Sequence, residues 1–312
     1  MEVPPHIQLR CFAAAHGRML ACAMFARLPT MCRRIYCMHL HLSPLAAVLA
    51  WRLKCELDVF LHGVESWGGL AALHRHSLRR ATSFSANSRY TLDRFHKTHS
   101  EFASVPSVVV PLGLNDEFTL SNPIEHPLTR KARRYFLTVT RFAETYKGER
   151  TLLDAFREVH AVYTDTHLIC AGEGPTRQRI EEHVRLLGLS DAVHFVGHVS
   201  DAELAGLYAH ALGFVLLSEG EGFGIVFLEA MHHAKPCIAT NADAVHELVK
   251  DGETGLLVSP GDVAGTACAM RRLLEESSFG EKLGAEGRRR VAADYMPKHF
   301  QARLRAHFDY RI

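Results

Sequence analysis

Two glutamates eight positions apart, Glu221 and Glu229, bracket the stretch of this chain best equipped for chemistry. Gly220, Gly222 and Gly224 stand among acids just before the apolar run Ile225 to Ala234, which Lys235-Pro236 stops. The apolar segment Gly213 to Leu217 precedes them and is short enough for a buried strand. The order is therefore strand, glycine-rich loop, helix. Glycines let a ligand approach the backbone, and a helix start offers free N–H groups at the positive end of a dipole. That combination suits a phosphate. Glu229 lies about one turn into a helix whose neighbours are apolar, so its carboxylate needs partners such as ligand hydroxyls. One carboxylate before an anion site and one beyond it fit a diphosphate flanked by hydroxyl groups, as in a nucleotide sugar. Taken singly, Glu221 reads as a solvated loop acid and Glu229 as an acid favoured by the helix dipole. The whole string argues for the site.

Further candidates lie at other strand ends. Arg141 and Lys147, in the loop Thr140 to Gly148, are two cations able to clamp a diphosphate, the arginine through its fork and the lysine as a point charge. On composition alone they read as a charged turn. Ala171-Gly-Glu-Gly-Pro175 is a Gly-x-Gly turn, but Arg177 replaces the third glycine that a nicotinamide-binding turn requires. His62, followed by Gly63, puts an imidazole at a strand end in the first part of the chain.

The string from Ser218 to Met231, with Lys235-Pro-Cys-Ile-Ala239 after it, resembles the Glu-x7-Glu signature of retaining glycosyltransferases of family 4, which have the GT-B fold. The resemblance spans roughly residues 34 to 290 and is most specific in the second half. It implies that Glu229 holds ribose hydroxyls and Glu221 the sugar. Gly222, Phe223, Gly224 and Ile225 would present backbone N–H groups to the donor, with Gly172 a further contact. Arg141 and Lys147 would neutralise the leaving nucleoside diphosphate, and Phe195 to Val199 would meet the base. The string Phe60-Leu-His-Gly-Val-Glu-Ser-Trp67 resembles the family's segment in which the histidine lies at the reacting carbon, so His62 joins Glu221 as a catalytic candidate. Glu65 and Trp67 would shape the acceptor side. Glu247 resembles another landmark, with Asn241 to Val245 standing where the family often has a glycine pair. The reaction implied is transfer of a hexose to a hydroxyl of a glycan, lipid or small molecule. The alternative is a catalytically impaired nucleotide-sugar binder derived from such an enzyme. No Asp-x-Asp occurs, so neither metal nor cofactor is expected, and cationic side chains would handle the diphosphate.

Elements that must position these residues follow from hydrophobic patterning. Alternating strands and helices argue for parallel α/β sheets. Strands are expected at Arg34 to Cys37, Leu57 to Leu61, Thr82 to Ser85 and Val108 to Pro111, then at 136–140, 167–171, 193–197, 214–217, 237–240 and 255–258. Helices fill the gaps, beginning with an amphipathic one at Phe12 to Leu28, and Gly113 to about Arg133 reads as a linker. The expected organisation is an acceptor-side Rossmann-like domain over 1–125, incomplete at its N-terminus, and a donor-binding Rossmann-like domain over 126–293. A helix over 294–312 would pack back on the first domain. An incomplete first sheet would leave strand edges and apolar surface exposed, hence lower stability and slow or absent transfer.

A chain of 312 residues allows two domains. A net charge of +2 gives no reason to expect a nucleic-acid partner. Eight cysteines without a Cys-x-x-Cys pair read as free thiols in a reducing compartment, hence cytoplasmic; the resemblance admits a peripheral contact at the inner membrane surface.

Overall fold

The computed structural model describes residues 32–143 and 147–308. The helix expected at Phe12 to Leu28 lies outside them. The described chain forms two α/β units, one comprising residues up to 86 with 92–108, the other 87–91 with 109 onward.

In the first unit, β1 (Arg34–Cys37), β2 (Glu56–Leu61), β3 (Ser83–Ala86) and β4 (Ser107–Val109) form a sheet in the order β1-β2-β3-β4. β1 pairs with β2, and β2 with β3, in parallel. Helices α1 (Ser43–Leu53), α2 (Val64–Trp67), α3 (Ala72–Leu78) and α4 (Arg89–Thr98) intervene. Leu57, Val59 and Leu61 are fully buried, and Phe84 packs edge-on against Phe95 at 5.0 Å and Phe102 at 5.8 Å. Asp58 is a polar residue inside this core, 1% exposed. Its carboxylate accepts from Ser83 Oγ at 2.6 Å and Ser85 Oγ at 2.7 Å on the adjacent strand. Burial of a carboxylate is tolerable only with such donors. Both tryptophans lie in this unit, Trp51 largely exposed on α1 and Trp67 buried at the end of α2.

The second unit carries β5 (Arg134–Val139), β6 (Thr166–Ala171), β7 (Val193–Gly197), β8 (Gly213–Leu216), β9 (Cys237–Thr240) and β10 (Gly255–Val258), in the order β10-β9-β8-β5-β6-β7. All the pairings are parallel. Successive strand residues point to opposite faces, and each face has its own core. On one side Tyr135, Leu137, Ile169, Phe214, Leu216 and Ala239 pack together. On the other are Phe136, Leu168, Cys170, Val215 and Ile238. A parallel strand covered on both faces reads as a continuous apolar run, which is why these strands stand out in the sequence.

Before this sheet come the short helices α5 (Asp116–Leu120) and α6 (Pro127–Lys131). Helices α7 (Glu149–His160), α8 (Arg177–Leu186) and α9 (Asp201–His210) then alternate with its strands. α9 opens on a capping box: Ser200 Oγ accepts from Glu203 N–H, and Glu203 accepts from Ser200 N–H. α10 (Ile225–His232) follows β8, then α11 (Val245–Leu248), α12 (Val263–Glu275), α13 (Ser277–Asp294) and α14 (Pro297–Phe308). α10 ends two residues before the expected Ala234, which takes a left-handed φ of 55° just ahead of Lys235-Pro236.

Two expectations change. The strand at Val108 to Pro111 is shorter and shifted, Ser107–Val109. The linker from Gly113 to Arg133 is folded chain: it holds α5 and α6 and buries Leu114, Phe118 and Ala132 in the second unit's core. Phe118 packs edge-on against Tyr208 and His233. α14 clusters with the second unit, where Arg303 donates to the Pro111 carbonyl oxygen. Among the described residues no helix is long and apolar enough to cross a membrane.

Candidate active site

The second sheet winds outward in two directions, β5-β6-β7 one way and β8-β9-β10 the other. Loops leaving β5 and β8 part at this switch point, at the strands' carboxyl ends, the place at which open α/β sheets form a ligand crevice. The β5 loop carries Arg141 and Lys147; the β8 loop carries Glu221, Gly222, Phe223 and Gly224. Lys147 Nζ donates to Glu221 Oε2 at 3.0 Å, joining the two loops, with side chains 18% and 17% exposed. Lys147, the expected partner of the diphosphate, and Glu221, the expected partner of the sugar, thus form one ion pair. Arg141 is exposed at the end of β5.

The loops close on one another because glycine stands where a side chain would not fit. Gly172 has φ +123°, and a Cβ there would overlap the Thr140 carbonyl oxygen. Its N–H donates to Gly197 O at 2.8 Å, while Phe142 N–H donates to Glu173 O at 3.1 Å. The Gly-x-Gly turn after β6 thus packs directly on the β5 loop.

The β8 loop is held by backbone bonds. Glu221 N–H donates to Asp243 Oδ2 at 3.2 Å, and Ala244 N–H returns a bond to Glu221 O at 3.2 Å. Asp243 holds this position with a left-handed φ of 54°. Gly224 takes φ 92° and ψ 57° immediately before α10, whose first turn has no side-chain cap. Phe227 N–H donates to Gly224 O at 3.0 Å, and the first N–H groups of an α-helix in general suit an anion. Phe223 is buried and Ile225 partly exposed. Residues 87–91 count with this unit: Ser88 Oγ donates to the Gly222 carbonyl, and Glu247 accepts from Arg89 and Tyr90 N–H at 3.1 and 2.7 Å. The landmark glutamate therefore accepts from the backbone of residues 89 and 90 within this unit.

Glu229 sits in the second turn of α10. Tyr208, fully buried on α9, donates its hydroxyl to Glu229 Oε2 at 3.0 Å and lies 3.3 Å from Val226 O. Burial pushes the Glu229 carboxyl up to about 7; the Tyr208 hydrogen bond pulls against this, and Asp201 adds to it. The tyrosine itself is raised well above its ordinary value, first by burial and then by Glu229. His233 stacks on the Tyr208 ring, centroids 5.9 Å apart and planes 4° from parallel. Burial, then His232, pulls that imidazole down to about 4.

His62 belongs to the first unit. Its Nε2 donates to the Met38 carbonyl oxygen at 2.7 Å, and Glu65 Oε1 accepts from the N–H groups of His62 and Gly63 at 2.6 and 3.1 Å. Glu65 thus fixes the backbone that carries His62. Trp67 lies under Arg94, whose guanidinium is 4.5 Å from the indole centroid.

Sequence reasoning missed Tyr208 and Asp243. The tyrosine had no signal beyond an apolar helix face. For Asp243 the signal was a small acid in an Asn-Ala-Asp-Ala turn, a residue type that tolerates left-handed backbone.

A cation, an uncapped helix start and two carboxylates around one crevice can bind a diphosphate with hydroxyls on either side. The model of the Glycosyl transferases group 1 family matches residues 133–276. Over those residues the chain is similar to the group 1 glycosyltransferases. The match takes in every candidate except His62. A glycogen synthase of Mycobacterium tuberculosis is 32% identical over 152 residues, 49% of this chain and 37% of the relative. A phosphatidyl-myo-inositol mannosyltransferase of Mycobacterium leprae is 34% identical over 184 residues, 58% of this chain and 48% of the relative. The chain thus spans half or less of these relatives' length. Among solved structures, a sucrose-phosphate synthase from Thermosynechococcus elongatus superposes with a TM-score of 0.73 at 25% identity, over 88% of this chain and 73% of that one. Anabaena HepE in complex with UDP-glucose superposes with a TM-score of 0.77 at 19% identity, over 95% and 82%. Two parallel α/β sheets of this kind are the GT-B fold that the group 1 resemblance implied.

Proposed function

We propose that this protein is a retaining glycosyltransferase that moves a hexose from a nucleoside diphosphate sugar to a hydroxyl of a glycan, lipid or small-molecule acceptor. The observation that carries the reading is the β5–β8 crevice, where the Lys147–Glu221 pair, the uncapped start of α10 and Glu229 fall within one unit. The HepE complex with UDP-glucose supports the donor class.

In this reading Glu229 accepts from the ribose hydroxyls. The diphosphate lies between Lys147, Arg141 and the first N–H groups of α10. Glu221 meets the sugar once Lys147 turns to the phosphate. The bond from the anomeric carbon to the diphosphate oxygen breaks and its electron pair leaves with the nucleotide. The acceptor oxygen bonds to that carbon and loses its proton. Charge grows on the leaving oxygen as the bond breaks, so a lysine and a helix dipole fixed beside it stabilise the transition state more than the ground state. His62 and the acceptor side complete the assignment.

Calorimetry with UDP, GDP and ADP tests the donor site; one of them should bind at millimolar levels or tighter. Absence of binding by all three overturns the reading. With the nucleotide known, transfer from the matching sugar donor should keep the anomeric configuration, read from the product's anomeric proton coupling.

A further inference from the structure

We infer that Tyr208 is a positioning residue for the nucleotide: it holds Oε2 of Glu229 from behind, so that ligand hydroxyls meet the carboxylate from its accessible side. The inference rests on the nucleotide role proposed for Glu229. Tyr208 is completely buried, whereas Glu229 is only partly so, and the tyrosine hydroxyl donates to Oε2 at 3.0 Å. A hydroxyl in that place cannot be ligand; it can only orient. The ring is clamped in turn, stacked on His233 and met edge-on by Phe118 and at a tilt by Phe214. A side chain gripped on three sides holds its hydroxyl to one position, and a carboxylate tied to it loses little further freedom when a ligand binds.

The same bond sets how the site responds to pH. From α9 the groups facing Glu229 are Tyr208 and Asp201; His232 ends its own helix and His233 follows it; Arg288 of α13 faces those two histidines. Cys237 of β9 and Lys235 lie behind them, the thiol raised and the ammonium lowered by burial. α5 contributes the neutral Phe118 ring. Ligand hydroxyls that donate to the Glu229 carboxylate favour its ionised form. Removing the Tyr208 donor raises the Glu229 carboxyl further, since that bond is what lowers it.

The test is calorimetry of the wild type, Tyr208→Phe, Glu229→Gln and the double variant from pH 6 to 9, with whichever of UDP, GDP or ADP the wild type binds. Glu229→Gln subtracts the titration of the diphosphate itself. In the wild type, affinity should rise through pH 7 and binding should release up to about one proton below it, seen by comparing buffers of different ionisation enthalpy. Tyr208→Phe should weaken binding about fivefold at pH 7 and less than twofold at pH 9, the pattern of a carboxyl raised by about one unit. On the Glu229→Gln background, Tyr208→Phe should change nothing further. A loss of equal size at every pH, or one that persists without Glu229, assigns Tyr208 to packing alone and overturns the inference. A wild type that binds none of the nucleotides overturns both this and the proposed function; a Tyr208→Phe protein that binds like the wild type overturns only this.

Discussion

The two units use one architecture with different margins. Among the described residues the second has six strands in its sheet and the first four. Each face of the second sheet has a continuous apolar core, and its alternate strand residues share themselves evenly between the two. The first places Asp58 in its central strand and satisfies it with two serines. A core closed by hydrocarbon alone is stabilised by area; one that includes a buried carboxylate depends on a few donors. The second unit also holds strained and buried polar elements: left-handed Asp243, tightly apposed Gly172 and Glu229.

Glycine substitutions give the sharpest separation. Gly172→Ala places a Cβ on the Thr140 carbonyl oxygen at a φ of +123°, with no flexible neighbour to yield. It should cost about 4 kcal/mol or more and remove the second unit's thermal transition or shift it far down. Gly69→Ala in the first unit meets nothing within 4 Å and should change stability by less than about 1 kcal/mol. Calorimetric scans that show equal shifts for both variants would break the comparison.

The next effect is one of pH. A carboxyl raised to about 7 in the fold binds more protons there than in the unfolded chain between its ordinary value and 7. That contribution therefore favours the fold at low pH, is lost as pH rises towards 7, and stays lost above. Its size is about 3 kcal/mol, and it belongs to the ligand-free second unit. Denaturant titrations of wild type minus Glu229→Gln at pH 5 and pH 8 measure it. A difference that is flat or of opposite sign would show that Glu229 is well solvated.

Asp58→Ala comes third. It removes the acceptor of the Ser83 and Ser85 hydroxyls, Ser85 being fully buried, and should destabilise the first unit by about 2 kcal/mol, leaving nucleotide binding by the second unchanged. Loss of binding in that variant would mean that the two units do not hold their stabilities separately.

Smallest is the effect within the ion pair. Lys147→Ala should weaken nucleoside diphosphate binding about tenfold while leaving the bare nucleoside nearly unaffected, the loss of one charge-assisted contact. Glu221→Ala removes one partner of Lys147 and should leave diphosphate affinity unchanged or a few-fold stronger, yet reduce turnover of the sugar donor. Equal weakening in both variants would sink the division of roles.

Much of this was legible in the sequence wherever burial on both faces made a strand a continuous apolar run, as in Phe136 to Val139 or Cys237 to Thr240. The strand–loop–helix order around Glu221 and Glu229 was legible for the same reason, with glycines marking the turn. What could not be read is what depends on residues far apart in the chain. Lys147 and Glu221 are 74 positions apart, and Tyr208 and Glu229 are 21 apart on different helices. The stretch from Gly113 to Arg133 lacked any period because each of its helices has only five residues. A single buried side chain per turn, such as Phe118, leaves no pattern to detect. Asp58 stands alone in an apolar run, and its partners Ser83 and Ser85 lie on the next strand, 25 and 27 positions away.

The placement of the tryptophans makes the first unit optically distinct. The second unit contains none, so indole emission from the whole chain comes from Trp51 and Trp67 alone. Trp51, 64% exposed, should emit to the red and be quenched by iodide, while Trp67, 7% exposed under Arg94, should emit to the blue and resist it. Selective excitation of indole then follows one unit through denaturation, while far-ultraviolet ellipticity follows both. The chain thus carries its own reporter for the unit that does not hold the crevice, with no label attached.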